Sequence, residues 1–289
     1  MRRLLVFTAA ALIALQAQAE QRSWPVPPHA TDARLGADEP PHWVVYDPAA
    51  ALPLLVWLPG TNGRPAEGPK GVLRAALDGG YRVVALSYLN SRAVGQVCVG
   101  ARLRRHEGCA AEMRQQRVWG DARHPPIDDR PEDAIVPRLV GLLKHLAAQD
   151  PAGQWAGYLD GDEPRWSRIV LAGQSQGGGM AAFIAKTRTV AGVLDFSGGW
   201  DREAGGGLAG WYRSPSATPP ERWHASYHVQ EGAADLLAQS YRLLGIPPAQ
   251  VHALDQPVRA GRDAHGEGIA NPAYAPLWRQ MLDAVRPTR

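Results

Sequence analysis

The feature that most restricts how this chain folds is a serine bracketed by glycines where two unlike segments meet. Ile169-Val-Leu-Ala172 is short, aliphatic and β-branched, as a buried strand should be, and Gly178-Gly-Met-Ala-Ala182 opens a segment of small, helix-compatible residues. Between them lie only Gly173-Gln174-Ser175-Gln176-Gly177. A chain that passes from strand to helix in five residues must turn sharply. Glycines two before and two after the apex keep the two backbones from colliding, and the serine at the apex is left facing outward at the end of the strand. The rest of the chain therefore has to supply a sheet for the strand and a layer against which the helix packs.

The flanking sequence supplies both. Leu52 to Leu58, Tyr81 to Leu89, Ala191 to Phe196, Ser226 to Val229 and Val251 to Leu254 are short apolar runs, many of them bounded by Gly or Pro. Helical patterns fall between them at Val72 to Leu77, Pro131 to Ala148, Gly178 to Lys186, Ala233 to Leu244 and Ala275 to Val285. Strands alternating with helices predict an α/β fold with a mostly parallel sheet covered on both faces. No internal repeat and no phosphate-cradling Gly loop with Lys is present in the sequence.

With these elements in place, the chain from about Trp43 to the last helix resembles the α/β-hydrolase superfamily. The resemblance rests on the serine turn, its strand and helix context and the alternation around it. It implies Ser175 as nucleophile, followed in chain order by an acid and a histidine, each on a loop after a later strand. Gln230-Glu-Gly-Ala-Ala-Asp235 follows the run ending at Val229 and looks like the acid loop, with Asp235 as the acid. Asp201, Asp255 and Asp263 compete with it, and Asp235 also suits the capping of the helix behind it. His265, in Gly261-Arg-Asp-Ala-His265-Gly266, lies after the last strand and suits the base better than His228 or His252, which fall inside strands. The backbone N–H of Gln176 and one from Pro59-Gly60-Thr61-Asn62-Gly63, at Thr61 or Asn62, are expected to form the oxyanion hole. Where the family commonly has His-Gly, this chain has Pro59-Gly60. Such a site runs acyl transfer through a covalent acyl-enzyme and calls for no metal or organic cofactor.

Two stretches stand outside the alternation. Gln96 to Asp129 carries Cys98 and Cys109, the only cysteines, among Arg102, Arg104, Arg105, His106, Arg114, Arg117 and Arg123. It reads as a solvated excursion pinned by a Cys98–Cys109 disulfide, since two thiols and one nearby histidine fall short of a structural zinc site. Gly198 to Arg222, with Trp200, Trp211 and Tyr212, reads as a long loop or small lid. Its aromatics either line an acyl pocket or pack the loop down.

The organisation expected is a signal peptide at 1–19, a Pro-rich lead at 20–42 and a single α/β-hydrolase domain at 43–289. Arg2-Arg3, an apolar run from Leu4 to Leu15 and Ala17-Gln18-Ala19 have the order of a cleaved secretory signal, and the run is too short to span a bilayer. Removing it leaves 29 Lys+Arg against 28 Asp+Glu, a net +1 that gives no general attraction for nucleic acid or an anionic membrane. The reading is thus an exported, periplasmic or secreted serine hydrolase acting on a small-molecule acyl substrate, most simply a carboxylic ester. A peptidase, lactonase or acyltransferase would use the same residues, and a non-catalytic binding scaffold is the alternative from another class. Substrate identity and oligomeric state are left open by the sequence.

Overall fold

The computed structural model describes residues 21–48 and 53–286, so the expected signal segment lies outside the described residues. Eight strands form one sheet: β1 (Arg22–Val26), β2 (His42–Tyr46), β3 (Leu54–Leu58), β4 (Arg82–Ala85), β5 (Ile169–Gln174), β6 (Gly192–Phe196), β7 (Trp223–His228) and β8 (Val251–Leu254). Their spatial order is β1-β2-β4-β3-β5-β6-β7-β8. Strands β3 to β8 pair in parallel, whereas β2 runs antiparallel to both β1 and β4. The principal helices are α1 (Lys70–Asp78), α2 (Cys109–Trp119), α3 (Ile135–Gln149), α4 (Gln176–Thr187), α5 (Ala234–Leu244), α6 (Ala264–Ala270) and α7 (Ala275–Ala284).

Every residue of β3, β4 and β6 is buried, which is why these strands read as mostly apolar runs rather than alternating ones, with Arg82 and Asp195 as buried exceptions. Alternation still sorts the side chains. Leu54, Val56 and Leu58 join a core with Leu139, Leu142 and Leu143 of α3 and Met180 and Ile184 of α4. Leu55 and Trp57 point the other way, into a core with Val72 of α1 and Trp278 and Met281 of α7. Helices therefore cover both faces, as the sequence predicts.

The N-terminal lead differs from its expected role. Arg22–Val26 pairs along its whole length with β2, from Arg22 opposite Tyr46 to Val26 opposite His42, and so forms the sheet edge. Pro25 obscured this strand, but a proline is tolerated on an edge, where no neighbour requires its missing N–H. Among the described residues no helix is long and apolar enough to cross a membrane.

Candidate active site

Strand β5 delivers Ser175 to the centre of the sheet's C-terminal edge, and α4 starts at the next residue. Ser175 has φ 56° and ψ −123°, a conformation costly for any residue with a side chain and typical of functional turns. It is held there by the close approach the glycines permit. A Cβ at Gly173 would overlap the backbone of Gly177 and Gly178, and one at Gly177 would overlap the Leu58 carbonyl. The Ser175 N–H donates to the Phe196 carbonyl, and the Ser175 carbonyl accepts from Gly179.

A cavity of 860 Å³ opens over this turn. Thr61, Ser175, Gln176, Trp200, Glu231 and His265 all line it, so the structure brings the expected nucleophile, base and oxyanion donors to one place. The Gln176 N–H lies in the first turn of α4, where it has no acceptor within the helix and the helix dipole adds positive potential. Of the two amides proposed from the preceding loop, that of Asn62 donates to the Asn90 carbonyl, which leaves Thr61 as the loop's donor toward the cavity. The loop is fixed from behind: Tyr88 donates to the Pro59 carbonyl at 2.6 Å, and Asn90 Nδ2 to the Gly60 and Gly63 carbonyls at 2.8 Å each.

His265 does not sit in a free loop but in the first turn of α6, where its backbone N–H donates to Asp263 Oδ1 at 2.8 Å. Its Nδ1 meets Glu231 Oε2 at 2.6 Å. The carboxylate fixes the tautomer: Nδ1 carries the proton, and Nε2 is the nitrogen left to accept one. Trp200 stands edge-on to the imidazole, with ring centroids 5.5 Å apart and planes at 84°.

The residue that the structure brings to His265 is Glu231 and not Asp235. Asp235 is exposed in the first turn of α5 and has no contact with His265, whereas Glu231 lies three residues beyond the end of β7 and points inward. Glu231 Oε1 accepts from Ser197 Oγ and from the His228 N–H, each at 2.7 Å, so both carboxylate oxygens are held. Ser197 was not anticipated. It is a buried residue with φ 52°, and only its place just beyond β6 in the sequence hints at a role. The other contenders have different partners. Asp201 pairs with Arg114, Asp263 caps α6, His228 Nε2 bonds to the Gln256 carbonyl at 2.8 Å, and His252 stacks on His224.

The Arg-rich stretch also departs from expectation. Cys98 and Cys109 are joined, with Cα atoms 5.7 Å apart, but the segment is not a solvated excursion. Arg102, Arg104, Arg105 and Arg123 are exposed, while Arg114 and Arg117 are buried on the inner side of α2, which packs against α4. Arg117 donates to Asp129 at 2.9 Å and to Gln176 Oε1 at 3.0 Å, and Gln176 Nε2 donates to the Asn90 carbonyl. That chain of contacts ties the two oxyanion segments together. The aromatic stretch divides between its two readings: Trp200 lines the cavity, and Trp211 and Tyr212 are buried in the core with stacked rings 3.9 Å apart.

No family model and no curated protein matches the sequence. Solved structures of similar shape include an esterase of Pyrococcus furiosus (11% identity, TM-score 0.49, covering 91% of this chain and 92% of that one). A bacterial heroin esterase (16%, 0.48, 93% and 84%) and an esterase of the archaeon Pyrobaculum calidifontis (14%, 0.47, 92% and 82%) are others. Independently of these, the strained serine turn between β5 and α4, the helices on both faces of a mostly parallel sheet, and the chain order Ser175, Glu231, His265 are this molecule's own. The chain has the α/β-hydrolase fold.

Proposed function

We propose that this protein is an exported serine hydrolase that cleaves carboxylic esters with Ser175 as nucleophile, His265 as base and Glu231 as the orienting acid. The observation that carries the reading is the 2.6 Å contact between His265 Nδ1 and Glu231 Oε2, in the wall of the same cavity that Ser175 enters from its strained turn. A base oriented by a carboxylate in the same cavity as a serine is the arrangement that activates a serine nucleophile.

In the reaction, His265 Nε2 takes the proton from Ser175 Oγ as that oxygen bonds to the ester carbonyl carbon. The carbonyl electron pair moves onto oxygen and is held by the Gln176 and Thr61 N–H groups. Collapse expels the alkoxide, which takes the proton from His265. Water then attacks the acyl-enzyme by the same steps in reverse order of partners. Glu231 stabilises the imidazolium without accepting its proton. Export is supported by the order of Arg2-Arg3, the apolar run and Ala17-Gln18-Ala19, and by a paired Cys98 and Cys109 suited to an oxidising compartment.

The test is labelling of the protein with a fluorophosphonate probe beside hydrolysis of p-nitrophenyl esters from acetate upward. Wild type is expected to label and turn over, and Ser175→Ala to lose labelling and at least 10³-fold in kcat/KM, on the order expected for loss of a nucleophile. A folded wild type that neither labels nor hydrolyses any ester would leave a binding scaffold as the better reading.

A further inference from the structure

We propose that Arg117 is a positioning residue for the oxyanion hole: lying behind the cavity wall, it acts through the Gln176 side chain to fix how the two oxyanion donors face one another, and so governs the rate of acyl transfer. The inference deepens the serine-esterase reading and rests on it.

The two donors come from segments far apart in the chain, Thr61 after β3 and Gln176 at the start of α4, and they hold a developing oxyanion only if both N–H groups point at one place. Asn90 brings the segments together. Its Nδ2 donates to the Gly60 carbonyl, which belongs to the same planar peptide unit as the Thr61 N–H. Its carbonyl accepts at 3.2 Å from the Asn62 N–H, on the next peptide unit. Both peptides that flank Thr61 are therefore bonded to one residue. The same Asn90 carbonyl accepts from Gln176 Nε2 at 3.0 Å, which carries that hold across to the first turn of α4.

The link works in one sense only. A carboxamide has an acceptor on one side and a donor on the other, and turning it over leaves its shape almost unchanged. Here charge blocks the reversal. Arg117 Nη1 donates to Gln176 Oε1 at 3.0 Å, so a reversed amide would set its N–H against a guanidinium and its oxygen against the Asn90 carbonyl, losing both bonds. Arg117 is itself held fast: Nη1 also donates to the Arg92 carbonyl at 2.6 Å, and Nε donates to Asp129 Oδ2 at 2.9 Å. Asp129 is tied back to α2, because its main-chain carbonyl accepts from Gln116 Nε2 at 2.6 Å.

Stability alone does not call for this arginine. Its side chain is 3% exposed, and a buried ion pair stabilises a fold less than apolar side chains of the same volume. Apolar side chains could not hold a carboxamide in one sense. Nor does Arg117 act by adding positive potential to the oxyanion hole, since Asp129 offsets its charge at 2.9 Å. What remains is the bond to Gln176, a buried residue whose backbone N–H is one of the two oxyanion donors. A small displacement of such a donor is felt in the rate, because the transition state is stabilised only by groups already in place.

The experiment follows p-nitrophenyl acetate hydrolysis by wild type, Gln176→Met, Arg117→Ala and the double variant. It is run beside inhibition by an alkyl trifluoromethyl ketone, whose carbonyl carbon bonds to Ser175 Oγ and whose oxygen, keeping the electron pair, enters the oxyanion hole. Gln176→Met retains the backbone donor and the Arg117–Asp129 pair, and the Arg92 carbonyl and Asn62 N–H still serve the groups it leaves, so its urea unfolding midpoint should match wild type. Its kcat is expected to fall about thirtyfold, less than the roughly 10²–10³-fold lost with a donor itself. Acylation and deacylation use the same hole, so KM should stay within about twofold. The inhibition constant should rise by the factor by which kcat/KM falls, the mark of a contact made in the transition state. Arg117→Ala should lose a similar factor, and the double variant no more than the worse single one, because both substitutions break one link. An unchanged kcat in Gln176→Met, a loss carried by KM, additive losses in the double variant, or an inhibition constant that does not follow kcat/KM would each overturn the proposal while the esterase reading stands. Should Arg117→Ala not fold, kcat, KM and the inhibition constant of Gln176→Met decide. A wild type that cleaves no ester and does not label with fluorophosphonate would overturn both.

Discussion

Two of the carboxylates that line the cavity are buried, and their partners give them different work. Glu231 meets an imidazole, a group that gains and loses a proton, and its second oxygen is fixed by Ser197 and a backbone N–H. Asp201 meets a guanidinium, which never loses its charge, and is backed by an indole. Both are buried and both are short-range pairs. The first can follow a change of charge during a reaction, whereas the second holds a fixed charge pair inside the wall. The contrast shows why burial and a close cationic partner do not by themselves identify a catalytic acid.

Substitutions at the two carboxylates should separate these roles. Glu231→Gln is expected to lower kcat/KM by about 10³–10⁴-fold, because an amide N–H facing Nδ1 forces the wrong tautomer on His265. Its thermal stability should change little, since the glutamine oxygen still accepts from Ser197 and His228. Asp235→Asn should stay within about threefold of wild type in the same assay, and a larger loss would return the acid's role to Asp235. Asp201→Asn is expected to do the opposite of Glu231→Gln, costing about 3–5 kcal/mol in urea unfolding because it leaves the Arg114 charge buried and unmatched.

Reduction of Cys98–Cys109 sharpens the same comparison, because α2, which begins at Cys109, carries Arg114 but not Glu231. A loss of about 3 kcal/mol in unfolding free energy is expected from the closed loop. Fluorophosphonate labelling of the still-folded reduced protein should persist. A smaller loss of activity belongs to Ser197. Both Ser197→Ala and Ser197→Gly should lower kcat/KM by about tenfold, roughly 1.4 kcal/mol, through loss of the hydroxyl that holds Glu231. If only the alanine variant is impaired, the φ 52° backbone rather than the hydroxyl is responsible.

What the sequence revealed follows from how local each constraint is. The serine turn was legible because its glycines answer to contacts within a few residues, Gly173 against Gly177 above all. The inner strands were legible because burial on both faces leaves few polar positions, Asp195 of β6 being one. His265 was reachable through the Gly-flanked stretch after the last strand, although Asp263, taken there as a rival acid, is the cap that makes the stretch a helix start. The carboxylate beside His265 lies four residues before the expected Asp235. Glu231 stands directly after the turn that ends β7, and the preference for aspartate drew attention to a residue that instead opens α5. Arg114 and Arg117 were misread for a different reason. Arginines in a polar run look solvated, and their burial depends on Asp201 and Asp129, of which the first lies 87 positions away in the chain.

The helix that follows Ser175 has every residue from Gln176 to Lys186 buried, while His265 and its capping Asp263 sit at the surface end of a seven-residue helix. Hydrogen exchange should accordingly be slowest around α4 and fast around α6, because local opening follows the contacts that must be broken. The serine then keeps its turn long after the base has begun to wander. Activity would be lost first through the histidine, reversibly, in a molecule whose core is still closed.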